Sequence, residues 1–519
     1  MTSLTSLKLL PLLAGITVAL VSPPAARAQE ASVPASAPAA AAFARSLALR
    51  SDRVVADSTH AAFGWLAQTS PVSYASKSAL QLKLTLAPET GASAPVKALG
   101  TFTIFGTNLA ETPFPFSADL AGVPDGPYRY VAEVWDGDTS LAKLEKPVVL
   151  VAGLDEQQAA FTRRLAGITG HDGAKAAVLY PFDLARVINL GKRVYGSGTT
   201  NPEFGLNQAG VQVPYDFTAG LKKSADLLAA LEGGRDPLWR AGGETVQYYH
   251  MAEADEILPY HVFVPSTWDG KSALPLVFIL HGNSRDQDFY FDRDEHLIPK
   301  TAEKHGFMLV ASLGYAPNAG YNYVPFNRER GERGVAAAAV AAQNFGPAPA
   351  ATVAGGRRGG GAGRGGAAGG FGGVNGSTTP QLVRTEWSEQ DAMHVFDLIK
   401  AEYPIDPKRT FLFGYSAGGQ GAHYLGPKYA ENWAAIAIGG SNAQPGPAYQ
   451  FDRVKAVPYF LYYGTADAGN GPPATAMAQA LKEHGTEAVL KAYPGADHDH
   501  APSAAIGDVF DFFDAHARK

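Results

Sequence analysis

Between residues 244 and 519, short apolar runs recur at 276–280, 307–311, 410–413, 434–438, 459–463 and 488–493. Amphipathic stretches at 389–403, 474–484 and 506–517 lie between and after them. A run of about five apolar residues bounded by turns is a strand buried on both faces, and flanking helices are what bury it. The alternation predicts an α/β domain over 241–519, with a mainly parallel sheet covered on both sides. One stretch, at about 332–378, breaks the order; from 355 to 376 it is mostly glycine, with Arg357, Arg358 and Arg364 embedded. A loop insertion explains it, because each added loop residue costs little entropy. Arginine between glycines also fits RNA, but the formal charge of −6 argues against a nucleic-acid partner.

The front of the chain reads differently. Residues 80–86 and 101–105 alternate with period two, 128–135 runs into the turn Asp136-Gly137-Asp138, and 148–151 is apolar. Short strands with Gly, Asp and Pro turns predict a small β-sandwich, immunoglobulin-like, over 73–152. Its expected role is structural, or a contact for a homo-oligomer. Over 153–240 the spacing turns helical, with Leu227, Leu228 and Leu231 on one face before Gly233-Gly234, and predicts a connector. Residues 1–28 have the form of a signal peptide: Lys8, an apolar core at 9–21 and the small-x-small Ala26-Arg27-Ala28. That core is too short to span a bilayer, so a periplasmic or secreted protein without stable membrane insertion is expected. Residues 29–72 read as an Ala/Pro-rich tether and lead-in. The absence of Cys removes disulfides, thiolate nucleophiles and Cys-ligated metals.

Chemistry concentrates where three of the predicted strands end. Gly414-Tyr415-Ser416-Ala417-Gly418-Gly419 follows one strand and precedes a predicted helix, the strand–turn–helix setting of a G-x-S-x-G elbow. The glycines let the backbone pass close to its neighbours while the turn lifts the Ser416 hydroxyl clear of the sheet. A serine hydroxyl needs a base, and the base needs an orienting acid. Asp467 lies in the turn after 459–463, and His498 lies in the loop after 488–493. Open α/β sheets build their sites at the carboxyl ends of strands, which brings Ser416, Asp467 and His498 to one edge. His500 is the alternative base; His498 is favoured by its shorter distance from the strand. The group Asp497-His498-Asp499-His500 could also hold a metal, but no partner motif accompanies it, and no metal or cofactor is expected. Oxyanion donors are assigned to the N–H of Ala417 and, from the loop His281-Gly282-Asn283-Ser284, to that of Asn283, with Ser284 second. His281 is expected to be structural. Tyr290, Tyr315, Tyr321, Tyr323, Phe326, Trp387 and Tyr415 fall on or near the predicted site loops; they hint at an aromatic or sugar-linked ester, although such residues more often just pack the loops.

Over 244–519 the chain resembles the α/β-hydrolase superfamily, through Leu280-His281-Gly282, 403–409, 414–419 with Tyr424 and Tyr429, 434–437 and 464–467. It is similar to polyhydroxybutyrate-depolymerase-like, feruloyl-esterase-like and prolyl-oligopeptidase-like catalytic domains, and its Asp497-His498 pair is similar to the histidine loop of the esterase-D-like group. The resemblance implies a Ser416–His498–Asp467 triad and hydrolysis of a small-molecule or polymeric ester through an acyl-enzyme. The insertion near 332–378 departs from that pattern, as does Asn283 where relatives often carry Cys. A serine peptidase is the alternative activity, and a non-catalytic binding protein on the same scaffold is the alternative of another class.

Overall fold

Leu276, Phe278, Leu280 and Leu412 join one apolar cluster, whereas Val277, Ile279, Phe411 and Phe413 join another. Successive side chains of a strand point to opposite faces, so two clusters on alternate residues mean one sheet buried on both sides. The computed structural model describes residues 37–76, 78–89, 96–104, 108–190, 215–283, 285–315, 320–323, 385–446 and 448–518. The expected signal segment at 1–28 and the expected insertion at 332–378 lie outside the described residues.

This eight-stranded sheet runs, edge to edge, Ala488–Tyr493, Tyr459–Gly464, Ala435–Gly439, Ile405–Tyr415, Leu274–Leu280, Met308–Ser312, Glu256–Val264 and Gly243–Met251. The first six are mutually parallel. The last two form an antiparallel hairpin, joined antiparallel to Met308–Ser312. The six expected strands are therefore present, and the hairpin extends the sheet beyond them. Helices Leu297–His305 and Ala501–Ala515 fill one side through Ile298, Ala302, Val509, Phe510 and Phe513. Thr385–Glu402, Ala417–Lys428 and Gly471–Glu483 fill the other through Phe396, Ile399, Leu425, Met477 and Leu481. Truncating a side chain as buried as Leu412 to Ala would cost about 2–5 kcal/mol.

The chain before residue 243 forms two sheets and a set of helices. A five-stranded sheet is ordered Val55–Asp57, Thr139–Val151, Gly126–Asp136, Leu80–Pro88 and Lys97–Ile104. A three-stranded sheet is ordered Leu47–Ser51, Ala62–Gln68 and Phe114–Ala118. Leu49, Leu66 and Phe116 of the smaller sheet share a core with Leu82, Leu84 and Tyr130 of the larger. The tether expected up to residue 72 needs correction from residue 37 onward. Ala37–Ser46 is a helix whose fully buried Phe43 stacks on Tyr74 at 4.9 Å, and two strands of the smaller sheet follow it. Its alanines masked a face that one aromatic side chain anchors.

Helices Leu154–Leu165, Asp172–Asn189 and Phe217–Glu232 join this part to the large sheet. Asn189 accepts from the N–H groups of Val54 and Val55, at 2.8 and 2.9 Å. Six residues earlier on that helix, Asp183 accepts from Ile257 N–H at 2.7 Å. The helices thus dock on the hairpin Gly243–Met251/Glu256–Val264, at the opposite edge of the sheet from Ala488–Tyr493. Among the described residues, no helix is long and apolar enough to cross a membrane.

Candidate active site

Ser416 follows strand Ile405–Tyr415 and caps helix Ala417–Lys428 with φ 59° and ψ −121°. Its side chain would ordinarily exclude that conformation, so the surrounding contacts must hold it. A Cβ on Gly418 would lie 1.9 Å from Leu280 O, and one on Gly414 would lie 2.3 Å from Gly418 O. Only glycine lets the turn pass this close to the neighbouring strand. The Ser416 N–H donates to Gly439 O at 3.0 Å, which ties the turn to the next strand.

His498 Nε2 stands 3.0 Å from Ser416 Oγ, and His498 Nδ1 stands 2.5 Å from Asp467 Oδ2. An ionised carboxylate only accepts, so Nδ1 carries the proton and Nε2 offers its lone pair to the serine hydroxyl. The loops bearing the acid and the histidine are tied to each other. Ala466 N–H donates to Ala496 O at 3.0 Å, and Gly495 N–H donates to Thr465 Oγ1 at 2.8 Å. The imidazole side chain is 42% exposed and the carboxylate 15%, so the relay opens to solvent from a sheltered acid.

His500 turns away. Its Nδ1 bonds Asp497 of its own loop at 2.6 Å, which leaves Ser416 to His498 alone. The imidazole of His498 is likewise committed to Ser416 and Asp467, so the group 497–500 does not converge on a metal. Ala417 is the first residue of its helix, where N–H groups have no intrahelical partner. Gly282 brings the other loop alongside: a Cβ there would sit 3.4 Å from Ser416 Cβ. Asn283 follows on the exposed side, and Ser284 lies outside the described residues.

Two polar contacts at the relay escaped the sequence reading. Asn470 Nδ2 donates to Asp467 Oδ2 at 2.6 Å, one turn beyond the acid. Tyr415 O–H donates to His498 O at 2.7 Å. Burial, and then the Asp467 charge, push the Tyr415 hydroxyl pKa far above its usual value, so it stays a donor. A third support lies behind the 281–283 loop. The His281 ring sits between Gly282 O and Leu313 O at 2.9 and 2.7 Å, and the His281 backbone N–H donates to Tyr321 Oη at 3.0 Å. Tyr321 N–H donates to Ser388 Oγ at 2.9 Å, and Tyr315 N–H to Asp391 at 2.7 Å, so helix Thr385–Glu402 braces that loop.

The expected aromatic lining does not form as read. Tyr290, Tyr315, Tyr321 and Tyr415 are buried in the two cores, and Trp387 packs edge-on to Tyr315 at 4.9 Å. Phe326 lies outside the described residues. Large rings beside a sheet end gain most by burial, which outweighs any display to solvent.

The profile of the dienelactone hydrolase family matches residues 380–514, a span that contains Ser416, Asp467 and His498. No curated protein sequence matches the chain. Among solved structures, the fluorophosphonate-binding serine hydrolase FphF of Staphylococcus aureus aligns with TM-score 0.36 at 13% identity, covering 52% of this chain and 98% of its own. A ferulic acid esterase of Anaeromyces mucronatus aligns with TM-score 0.34 at 15% identity, over 53% of this chain and 90% of its own. A thermostable esterase aligns with TM-score 0.37 at 13% identity, over 88% and 95%. The sheet order, the turn at Ser416 and the family match give the C-terminal part an α/β-hydrolase-like fold.

Proposed function

We propose that the protein is a serine hydrolase that cleaves carboxylic esters through an acyl-enzyme. The observation that carries this reading is the unbroken relay Asp467–His498–Ser416, with contacts of 2.5 and 3.0 Å at the carboxyl ends of three parallel strands of one sheet. His498 takes the hydroxyl proton as Ser416 Oγ attacks the carbonyl carbon. Asp467 holds the ring in the required tautomer and stabilises the imidazolium that forms. The N–H groups of Ala417 and Asn283 receive the developing oxyanion, and the positive end of helix Ala417–Lys428 adds to that field. Collapse of the tetrahedral intermediate expels the alcohol with the proton from His498. Water, activated by the same imidazole, then releases the acid.

The His498 imidazole, 42% exposed, suits an accessible ester. Carbohydrate-linked, aromatic or polyester-type esters are the proposed substrate class. The signal segment at 1–28 supports delivery outside the cytoplasm, and the shared core of the two front sheets supports a sandwich-like accessory module.

Side-by-side turnover of p-nitrophenyl acetate, acetylated xylan, feruloylated sugars and aminoacyl-nitroanilides tests the reading. Ester turnover that disappears in Ser416→Ala is the expected result. Preference for the anilides would reassign the protein as a peptidase, and ester turnover that survives Ser416→Ala would overturn the serine mechanism.

A further inference from the structure

At the opposite edge of the sheet, His261 is held as a metal ligand is held. It lies on strand Glu256–Val264 facing Val246, and its side chain is 5% exposed. Its ring stacks on Phe291 at 3.8 Å with planes 4° apart, and Nδ1 bonds Asp288 Oδ1 at 2.7 Å. The carboxylate can only accept, so Nδ1 carries a proton, and in the neutral ring Nε2 is then the nitrogen with the lone pair. That buried Nε2 has no hydrogen-bond partner among the described residues. It points at the Glu244 carboxylate, 3.4 Å from Oε1.

Glu244 faces Phe263 on the neighbouring strand, a diagonal neighbour of His261 on the same face of the sheet. Its other oxygen, Oε2, stands 3.6 Å from His296 Nδ1. Asp292 completes the group: ligand atoms of Glu244, Asp292 and His296 all lie within 4.8 Å of one another. Around a tetrahedral zinc with bonds of about 2.0–2.2 Å, ligand atoms are roughly 3.3–3.6 Å apart. The two imidazole–carboxylate separations fall within that spacing. His261 stands outside that set, so a four-ligand site requires the exposed Asp292 and His296 side chains to turn toward its Nε2 when the ion binds.

We propose that Glu244, His261, Asp292 and His296 bind one divalent transition-metal ion of the zinc type, with Asp288 as the outer partner of His261. Two imidazoles among the ligands favour such ions over magnesium or calcium. The carboxylate behind His261 is the usual device for fixing a ligating ring and its tautomer. Two carboxylate ligands balance the charge of the ion, and the exposed side of the group gives it a way in. A second His–carboxylate group, Asp57 with His60 and Asp155, lacks this character. Asp57 already accepts from Thr59 N–H and Oγ1–H and from the N–H groups of Gly153 and Asp155.

All but Glu244 and His261 come from residues 288–296, which include three consecutive positive-φ residues, Asp294, Glu295 and His296. From the same segment Arg293 reaches Asp499 O and Asp294 reaches Ser503, on either side of His500. The ion would therefore pin the segment that contacts the histidine loop, without touching the reacting atoms.

Chelator-treated full chain, titrated with zinc by calorimetry and followed by thermal unfolding, tests the site. One equivalent should bind, with Tm raised by about 5 °C at a hundredfold excess over Kd. His296→Ala and Asp288→Asn should each weaken binding by about 10–100-fold. His296→Ala keeps the test decisive if His261→Gln fails to fold, because the His296 side chain is 52% exposed. Absence of a binding heat and of a Tm rise would overturn the proposal and leave His261 as an imidazolium between Asp288 and Glu244. Zinc binding unchanged by His296→Ala would place the ion elsewhere. An equal Tm rise with magnesium would overturn the transition-metal assignment.

Discussion

His498 and His261 are built alike up to the ring and differ in what the far nitrogen meets. Each imidazole gives its Nδ1 proton to an aspartate, at 2.5 Å from Asp467 and 2.7 Å from Asp288. His498 turns its Nε2 to a hydroxyl 3.0 Å away on a strained turn, with 42% of its side chain exposed. His261 turns its Nε2 to a carboxylate from a position 5% exposed. A histidine–carboxylate pair therefore specifies only an oriented lone pair. The group placed opposite decides between moving a proton and holding a cation.

Substitutions break the two cases apart. Ser416→Ala should show the largest effect, a fall in kcat of about a millionfold with binding of substrate retained. Asp467→Asn should lower kcat by about 10,000-fold, because the acid fixes the tautomer that leaves Nε2 free. Asp288→Asn, the matching change at the other pair, should leave ester turnover within about threefold while zinc affinity falls. Asn470→Ala removes the 2.6 Å bond to Asp467 and should cost about tenfold in kcat at constant KM. Tyr415→Phe, which loses only the bond to His498 O, should cost about fivefold. Steady-state kinetics on one activated ester measures all five, and equal losses in Asp288→Asn and Asp467→Asn would erase the distinction.

The central sheet and the relay were legible because each rests on a local pattern. Five strands contain unbroken apolar runs and the sixth, Ala488–Tyr493, is interrupted only by Lys491, and Ser416 sits in a motif whose glycines leave no room for a Cβ, which would fall 1.9 and 2.3 Å from backbone oxygens. Asp467 and His498 could be placed because strand ends set positions in this fold. The hairpin Gly243–Met251/Glu256–Val264 was missed, since Thr245, Gln247 and His250 interrupt the apolar pattern of its first strand. The smaller front sheet was missed because Ala-rich sequence hid Phe43, Leu49 and Leu66. Asn470 was out of reach, because a turn asparagine looks the same whether or not a catalytic acid lies within its grasp. The proposed cation site was also out of reach. Glu244 and His261 meet only through a diagonal across two paired strands, and no short-range spacing records that register.

The account rests most heavily on one nucleophilic oxygen, and intact-mass and peptide analysis after exposure to a fluorophosphonate measures it directly. A single adduct on the peptide containing Ser416, lost in Ser416→Ala and much slower to form in His498→Ala, is the predicted result. A folded, unlabelled chain, or an adduct that persists without Ser416, would contradict it.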